Sequence, residues 1–369
     1  MPTLVKRLIA AGLIVLVLIA LNAYMSEAGL FGFGVPPYYA RVIMLAGINV
    51  ILAVSLNLIT GFTGQFSIGH AGFMAVGAYS SAYLTVYFAQ SWERSLAGLI
   101  GASLAHVVIF LLAILVGALV AAIAGLIVGI PSLRLRGDYL AIVTLGFAEI
   151  IRIVILNIDK VGGATGFTVP GYTNFLWVGA FAVITIVIVH NIVHSDMGRA
   201  LVSIREDELA AEAMGINTTR YKVLSFVISS ALAGMAGVLF GHYTQFLSTN
   251  DFQFIRSFEI IIMIVLGGMG SLTGAVFGAI VITLLPELLR RLPGDFSKYR
   301  LVVYSALLII IMLTRPQGIL GTREFGLSWL KRAQRRPEGD TPVGASKGVA
   351  IVEQAKPSAI DREKEAENR

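Results

Sequence analysis

Arg199-Ala-Leu-Val-Ser-Ile-Arg-Glu-Asp-Glu-Leu-Ala-Ala-Glu-Ala-Met-Gly215 is a charged stretch set between two long apolar runs, at 175–194 and 222–243. Irregular backbone cannot join two spans inside lipid, because hydrocarbon offers no partner for its N–H and C=O groups. The stretch therefore lies outside a bilayer, and Arg199, Arg205, Arg220 and Lys222 place it on the cytoplasmic side by the positive-inside bias. If 205–214 forms one helix, Arg205, Glu208 and Glu212 share one stripe, and Leu209, Ala210, Ala213 and Met214 make an apolar one. Glu206, Asp207 and Glu208 suit the positive end of the helix dipole, and Gly215 supplies the left-handed residue that ends the turn. Such a two-faced helix is either a dock for another subunit or a connector lying on the membrane surface.

The rest of the chain agrees that there is a membrane. Hydrophobic residues make up 56% of the 369 and charged residues only 14%, and several apolar runs reach 18 residues or more, too long for ordinary core helices. The runs fall near 8–21, 40–60, 72–89, 104–130, 139–157, 175–194, 222–243, 257–267, 275–289 and 301–314. The expected class is an all-α polytopic membrane protein with about 8–10 transmembrane helices, broken by glycine-rich, partly re-entrant segments. The first run is as short as a signal-peptide core, but behind Lys6 and Arg7 it is read as a retained span. The net charge of +6 gathers at the ends of apolar runs, where it sets topology, and so gives no ground for nucleic-acid binding. With no cysteine, the chain has no disulfide, thiolate metal site or cysteine nucleophile.

Three regions follow: an N-terminal span and outer loop at 1–37, a transmembrane domain at 38–322 that includes the cytoplasmic loop 195–222, and a tail at 323–369. The tail mixes charge with Pro, Gly and Ser and is expected to be disordered in the cytoplasm. A cytoplasmic N-terminus puts Arg134, Arg136, the 195–222 loop and the basic C-terminal residues inside. Arg290, Arg291, Lys298 and Arg300 conflict with this scheme: either 257–289 is partly re-entrant or that connector is an exception.

Two segments break the helical pattern alike. Gly61-Phe-Thr-Gly64-Gln65-Phe-Ser67-Ile-Gly69-His70-Ala-Gly72 and Gly267-Gly268-Met-Gly270-Ser271-Leu-Thr-Gly274 each follow one apolar run and lead into another, a weak internal repeat. In membranes such segments mark either broken helices beside a transport path or tight helix packing. Gly64, Gln65, Ser67, Gly69, His70, Gly72, Gly267, Gly268, Gly270 and Ser271 are thus candidate path residues.

These segments carry a resemblance. With 133–149 and 265–274, the stretches 55–72 and 204–215 resemble, in order and over roughly 38–322, the LivM-type permease subunits of bacterial branched-chain amino acid ABC importers. The resemblance implies a bacterial inner-membrane permease that imports leucine, isoleucine and valine by alternating access. It also implies four kinds of company: a LivH-like second permease, two ATP-binding cassette subunits, a periplasmic amino-acid-binding protein and the lipid bilayer. ATP would be bound by the partners, leaving this chain without a cofactor and without bond chemistry of its own. The coupling loop would use Arg205, Glu206, Asp207, Glu208, Ala210, Ala211, Glu212 and Gly215, although Leu209 stands where the docking motif usually has Glu. Urea or short-amide importers have closely similar permeases, and an ion-coupled secondary transporter is a rival from another class.

The remaining polar residues admit plainer readings. Glu149 with Arg152, and Glu259 with Arg256, are spaced three apart and suit pairing on one helix as well as a substrate role. Asn57 and Thr144 suit interhelical hydrogen bonds. His190 and His194 have the spacing of a metal pair but lack a third ligand, so no metal is expected. No Gly-x4-Gly-Lys-Ser/Thr occurs, so energy must come from a partner or a gradient.

Overall fold

In the computed structural model, residues 36–133 and 138–289 are described, with isolated positions at 17, 19–23 and between 305 and 321. The Arg134 and Arg136 loop, the basic 290–300 connector, most of the first run and the tail lie outside the described residues. Helices dominate: α1 (Pro37–Asn57), α2 (His70–Tyr87), α3 (Ala89–Ile100), α4 (Ala102–Ser132), α5 (Asp138–Leu156) and α6 (Phe175–Val193) precede the charged loop. The loop itself holds α7 (Asp196–Glu206) and α8 (Glu208–Ala213), and α9 (Thr218–Thr244), α10 (Phe254–Gly267) and α11 (Leu272–Leu289) follow. Two residues each of β1 (Phe167–Thr168) and β2 (Phe246–Leu247) pair antiparallel.

Six of the described helical segments are long and apolar enough to cross a bilayer: Pro37–Phe62, Leu104–Ser132, Tyr139–Leu156, Phe175–Val193, Thr218–Thr244 and Leu272–Leu289. α10, at 14 residues, rises only about 21 Å and is a partial span. Burial separates centre from rim. The apolar window of α1 is 83% buried and that of α9 67%, whereas that of α6 is 17% buried, so α1 and α9 form the middle of the bundle. Leu115, Leu119, Ile123 and Ile127 of α4 are exposed, at no cost where the surroundings are hydrocarbon. Helices α2, α4 and α9 cross closely because small residues meet there, with Gly77 against Gly234 and Gly125 against Ser230.

The two ends of the bundle can be told apart. Near the charged loop lie the end of α6, which runs into it, and the start of α9, which leaves it. The end of α1 lies there too, since Arg205 donates to the Gly61 carbonyl at 3.0 Å. At the opposite end Tyr38, at the start of α1, donates to Glu287 near the close of α11. The chain therefore leaves α11 at the end away from the cytoplasmic loop. α10 and α11 together return the chain to the side where α1 began, and the basic 290–300 stretch whose charge conflicts with the scheme lies outside the described residues.

Candidate functional site

The charged loop is two helices joined at a corner. Asp207 leaves helical geometry (φ −156°, ψ 111°), ends α7 and caps α8, its carboxylate accepting from the Leu209 and Ala210 N–H groups at 2.9 and 3.0 Å. This corrects the single helix expected over 205–214: Arg205 lies on α7, while Glu208 and Glu212 lie on α8, so the three share no stripe. An aspartate among helix formers prefers the cap, because its short side chain can satisfy two of the N–H groups that a helix start leaves open. Gly215 does end the loop in left-handed geometry, at φ +85°.

α8 is anchored on one side only. Lys222, 2% exposed in the first turns of α9, pairs with Glu208 at 2.6 Å, Glu212 accepts from the Thr218 hydroxyl at 2.7 Å, and Ala211 is buried. On the other side Leu209 is 63% and Met214 83% exposed, with Ala210 and Ala213 also open to solvent. That is an apolar strip outside the bilayer, held to the bundle by a buried ion pair beneath it. Glu206 pairs with the Arg205 guanidinium at 2.6 Å.

Arg205 then reaches inward. Its Nη1 donates to Gly61 at the end of the π-helical turn Leu58–Phe62 that closes α1. A π turn carries an extra residue per hydrogen-bonded loop, strains the helix and leaves carbonyls open to other donors. The methylene chain of Arg205 fills the space beside Gly64, whose φ of +72° and closeness to that chain leave no room for a side chain: a Cβ there would lie 2.8 Å from Arg205 Cγ. A Cβ on Gly270 would lie 2.9 Å from Arg205 Nη1. One cytoplasmic arginine thus touches both glycine-rich breaks.

The breaks are also tied to each other. Asn57 donates to the Ser271 carbonyl and accepts from the Gly270 N–H, both at 3.0 Å, which is the interhelical role read from its sequence position. Beyond Gly64 the chain climbs back into the bundle. Ile68 N–H donates to Thr144 Oγ1 at 3.1 Å, Gly69 and Gly72 abut α5, and Ala71 N–H donates to Ser257 Oγ at 3.1 Å. His70 Nε2 lies 2.8 Å from Ser55 Oγ, and the Ser229 hydroxyl donates to the Ser55 carbonyl. Ser229 stands eleven residues into α9, so α2 starts about 16 Å inside the bundle from that helix's cytoplasmic end.

The candidate path residues therefore divide. Gly64 is exposed and Gln65 half-buried at the cytoplasmic end, while Ser67, Gly69, His70 and Gly72 are buried against α5, α9 and α10. In the second break Gly267, Gly268 and Ser271 are buried and Gly270 half-buried. Of the charge pairs, Glu149 meets Arg152 at 2.7 Å and Arg256 meets Glu259 at 2.8 Å. The rings of His190 and His194 lie tilted against each other with centroids 4.0 Å apart, and no group of three or more metal-ligating side chains occurs among the described residues. Lys222 and the inward reach of Arg205 escaped the sequence. A lysine a few residues after the loop reads as a topology charge, and only the Asp207 corner brings Glu208 over it.

This geometry has relatives. The model of the family described as branched-chain amino acid transport system / permease component matches residues 38–312. The high-affinity branched-chain amino acid transport system permease protein LivM of Salmonella typhimurium is 33% identical over 309 residues, 74% of this chain and 68% of that one. LivM of Escherichia coli K12 is 32% identical over 340 residues, 82% and 72% of the two chains. The corresponding LivH protein of Escherichia coli K12 is 37% identical over 131 residues, 36% and 42% of the two. A match through the bundle, both breaks and the corner loop makes this multi-pass inner-membrane chain a member of the branched-chain amino acid transport permease family, a transporter component and not an enzyme.

Proposed function

We propose that this chain is the LivM-type half of an ATP-driven importer of leucine, isoleucine and valine, and that α7 and α8 are its coupling device. The company it would keep is a LivH-like second permease, two ATP-binding cassette subunits, one of them docked on the α8 strip, and a periplasmic binding protein that delivers the amino acid. ATP would be bound by the cassette subunits, and this chain would need no cofactor. The observation that carries the reading is Arg205, which lies two residues from the loop's corner at Asp207 and contacts both glycine-rich breaks. A push on the exposed Leu209 and Met214 strip passes through the Lys222–Glu208 pair into α9, and through Arg205 into the ends of α1 and α10. Gly64, Gln65 and Gly270 would then form the cytoplasmic gate, and the buried Ser67 to Gly72 segment would move with it as access alternates.

The assembled importer in proteoliposomes, with ATP supplied to the cassettes and binding protein on the other side, is expected to accumulate leucine. The isolated chain under a proton or sodium gradient is expected to accumulate none. Arg205→Met removes a charged hydrogen bond to Gly61 and should raise the ATP consumed per leucine carried by about tenfold. Gradient-driven uptake by the chain alone would move it to the secondary transporters, and unchanged stoichiometry in Arg205→Met would remove the coupling role.

A further inference from the structure

At the end of the bundle away from the coupling loop, α1, α10 and α11, with Phe240 of α9 and Asp251 just before α10, line a half-open cavity of about 350 Å³. We propose that it binds the zwitterion of an apolar amino acid during transit, a step that rests on the importer reading above. Its charged lining is Arg256, Glu259, Asp251 and Glu287, three carboxylates against one guanidinium, and its apolar lining includes Val42, Leu45, Phe240, Met263 and Ile282. Asp251 is exposed and Arg256, Glu259 and Glu287 are half-buried, so this charged lining forms the open rim of the cavity. A structural pair accounts for only part of the set: Arg256 Nη1 meets Glu259 at 2.8 Å and Nη2 donates to Asn49 at 2.7 Å. Asp251 accepts from the Ser248 N–H and Glu287 from Tyr38, each a neutral donor, so among the described residues no cation other than Arg256 lines the cavity against its three carboxylates.

That excess of negative charge selects the ligand. The ammonium of an amino acid supplies the missing positive charge among the three carboxylates, and its carboxylate matches the planar fork of Arg256, which has five N–H donors. The aliphatic side chain fits the apolar walls. A neutral urea or amide gains nothing from four charges, and an inorganic cation gains nothing from Leu45, Phe240 or Met263. The same three helices carry the signal onward. Asn49 stands twelve residues before Gly61 on α1, so the cavity lies about 18 Å from the break that Arg205 grips, and α10 and α11 run from it to Gly268 and Gly270. Moving the breaks tilts the helices that line the cavity.

The test uses the full importer in proteoliposomes. The chain has no cysteine, so a Thr283→Cys variant places one thiol in the cavity wall, read by mass on this subunit. Millimolar leucine is expected to slow its reaction with a small thiol reagent, and urea at the same concentration to leave the rate unchanged. Arg256→Gln should lower leucine turnover at least about tenfold, because it strands carboxylates that the guanidinium now faces. If wild type carries leucine while labelling ignores leucine, the cavity assignment falls and the importer reading stands. If Arg256→Gln does not assemble, the labelling result alone decides. If wild type carries urea and not leucine, and urea protects the thiol, both readings fall together.

Discussion

The first glycine-rich break spends seven residues, 63–69, between the π turn and α2, whereas the second spends four, 268–271, between α10 and α11. The first is held by side chains from four elements: Thr144, Ser225, Ser257 and Arg205 each contact it or the start of α2. The second is tied by the single Asn57 side chain and otherwise closed by backbone on backbone, with Gly267 pressed against the Gly274 carbonyl and Gly278 against that of Met263. Their compositions look alike, but hydroxyl and amide side chains occur mainly in the first. Hydrogen bonds to hydroxyls can be exchanged at little cost, while backbone contacts at van der Waals distance cannot slide without opening a gap. The first break is therefore suited to being re-aimed, and the second to acting as a rigid corner against which it moves.

The sharpest way to break this contrast is Gly267→Val. A Cβ there would sit 1.9 Å from the Gly274 carbonyl oxygen, a backbone atom that cannot swing aside as a side chain could. Overpacking of this kind should cost about 3 kcal/mol, enough to abolish assembled permease, as read by thermal unfolding and yield in detergent. A variant that assembles and transports normally would show that the second corner yields as readily as the first.

Next in size is Asn57→Leu. The side chain is buried and makes both links between the breaks, so its loss strands the Gly270 N–H and the Ser271 carbonyl, for about 2 kcal/mol. A clear fall in the unfolding midpoint is expected, with coupling impaired in whatever assembles. No change in either would mean that the breaks act independently.

What the sequence disclosed follows from what is local. The all-α class was legible because a run such as 104–130 must satisfy its own backbone wherever it sits, whereas six of the expected 8–10 spans are long and apolar enough among the described residues; the Gly215 stop was legible because one residue type suits a left-handed turn. The Arg256–Glu259 and Glu149–Arg152 pairs were legible from spacing alone. The corner at Asp207 was signalled by a cap-forming residue but outweighed by the helical stripe around it. Arg205 reaching Gly61 across 144 positions, and Lys222 beneath Glu208, had no local signature, since they depend on how α7 lies against the end of α1. The glycine segments could be seen as a repeat, but not as two different structures, because the difference lies in which neighbours supply hydroxyls.

A smaller effect is expected from Gly64→Ala. Here the new Cβ meets Arg205 Cγ, part of a flexible side chain, and the positive φ adds about 1 kcal/mol of strain. The permease should assemble, and the leucine carried per ATP should fall, because Arg205 is displaced from Gly61. The comparison with Gly267→Val then becomes a contrast of kind: one substitution stops assembly and the other alters coupling. Equal loss of assembled protein in both would erase the distinction between a movable break and a rigid one.

The smallest effect is a change in reactivity. Single cysteines at Gln65, Ser67, His70 and Ser271 can be placed in a chain that has none of its own. Gln65 is half-buried beside the exposed Phe66, so Gln65→Cys should react with a thiol reagent in every nucleotide state. Ser67, His70 and Ser271 are all at most 1% exposed, so static burial predicts that all three stay silent. The contrast between the breaks predicts otherwise. Re-aiming the first break exchanges the hydrogen bonds around Ser67 and His70 and wets them in a minor state. A non-hydrolysable ATP analogue shifts the population of that state only by its differential affinity, so the rates for Ser67→Cys and His70→Cys should change modestly. Ser271→Cys, inside the backbone-closed corner, should stay unreactive throughout. Silence at Ser67 and His70 in all nucleotide states, with transport intact, would make the first break as rigid as the second and place the moving parts of the gate at Gly64 and Gln65 alone.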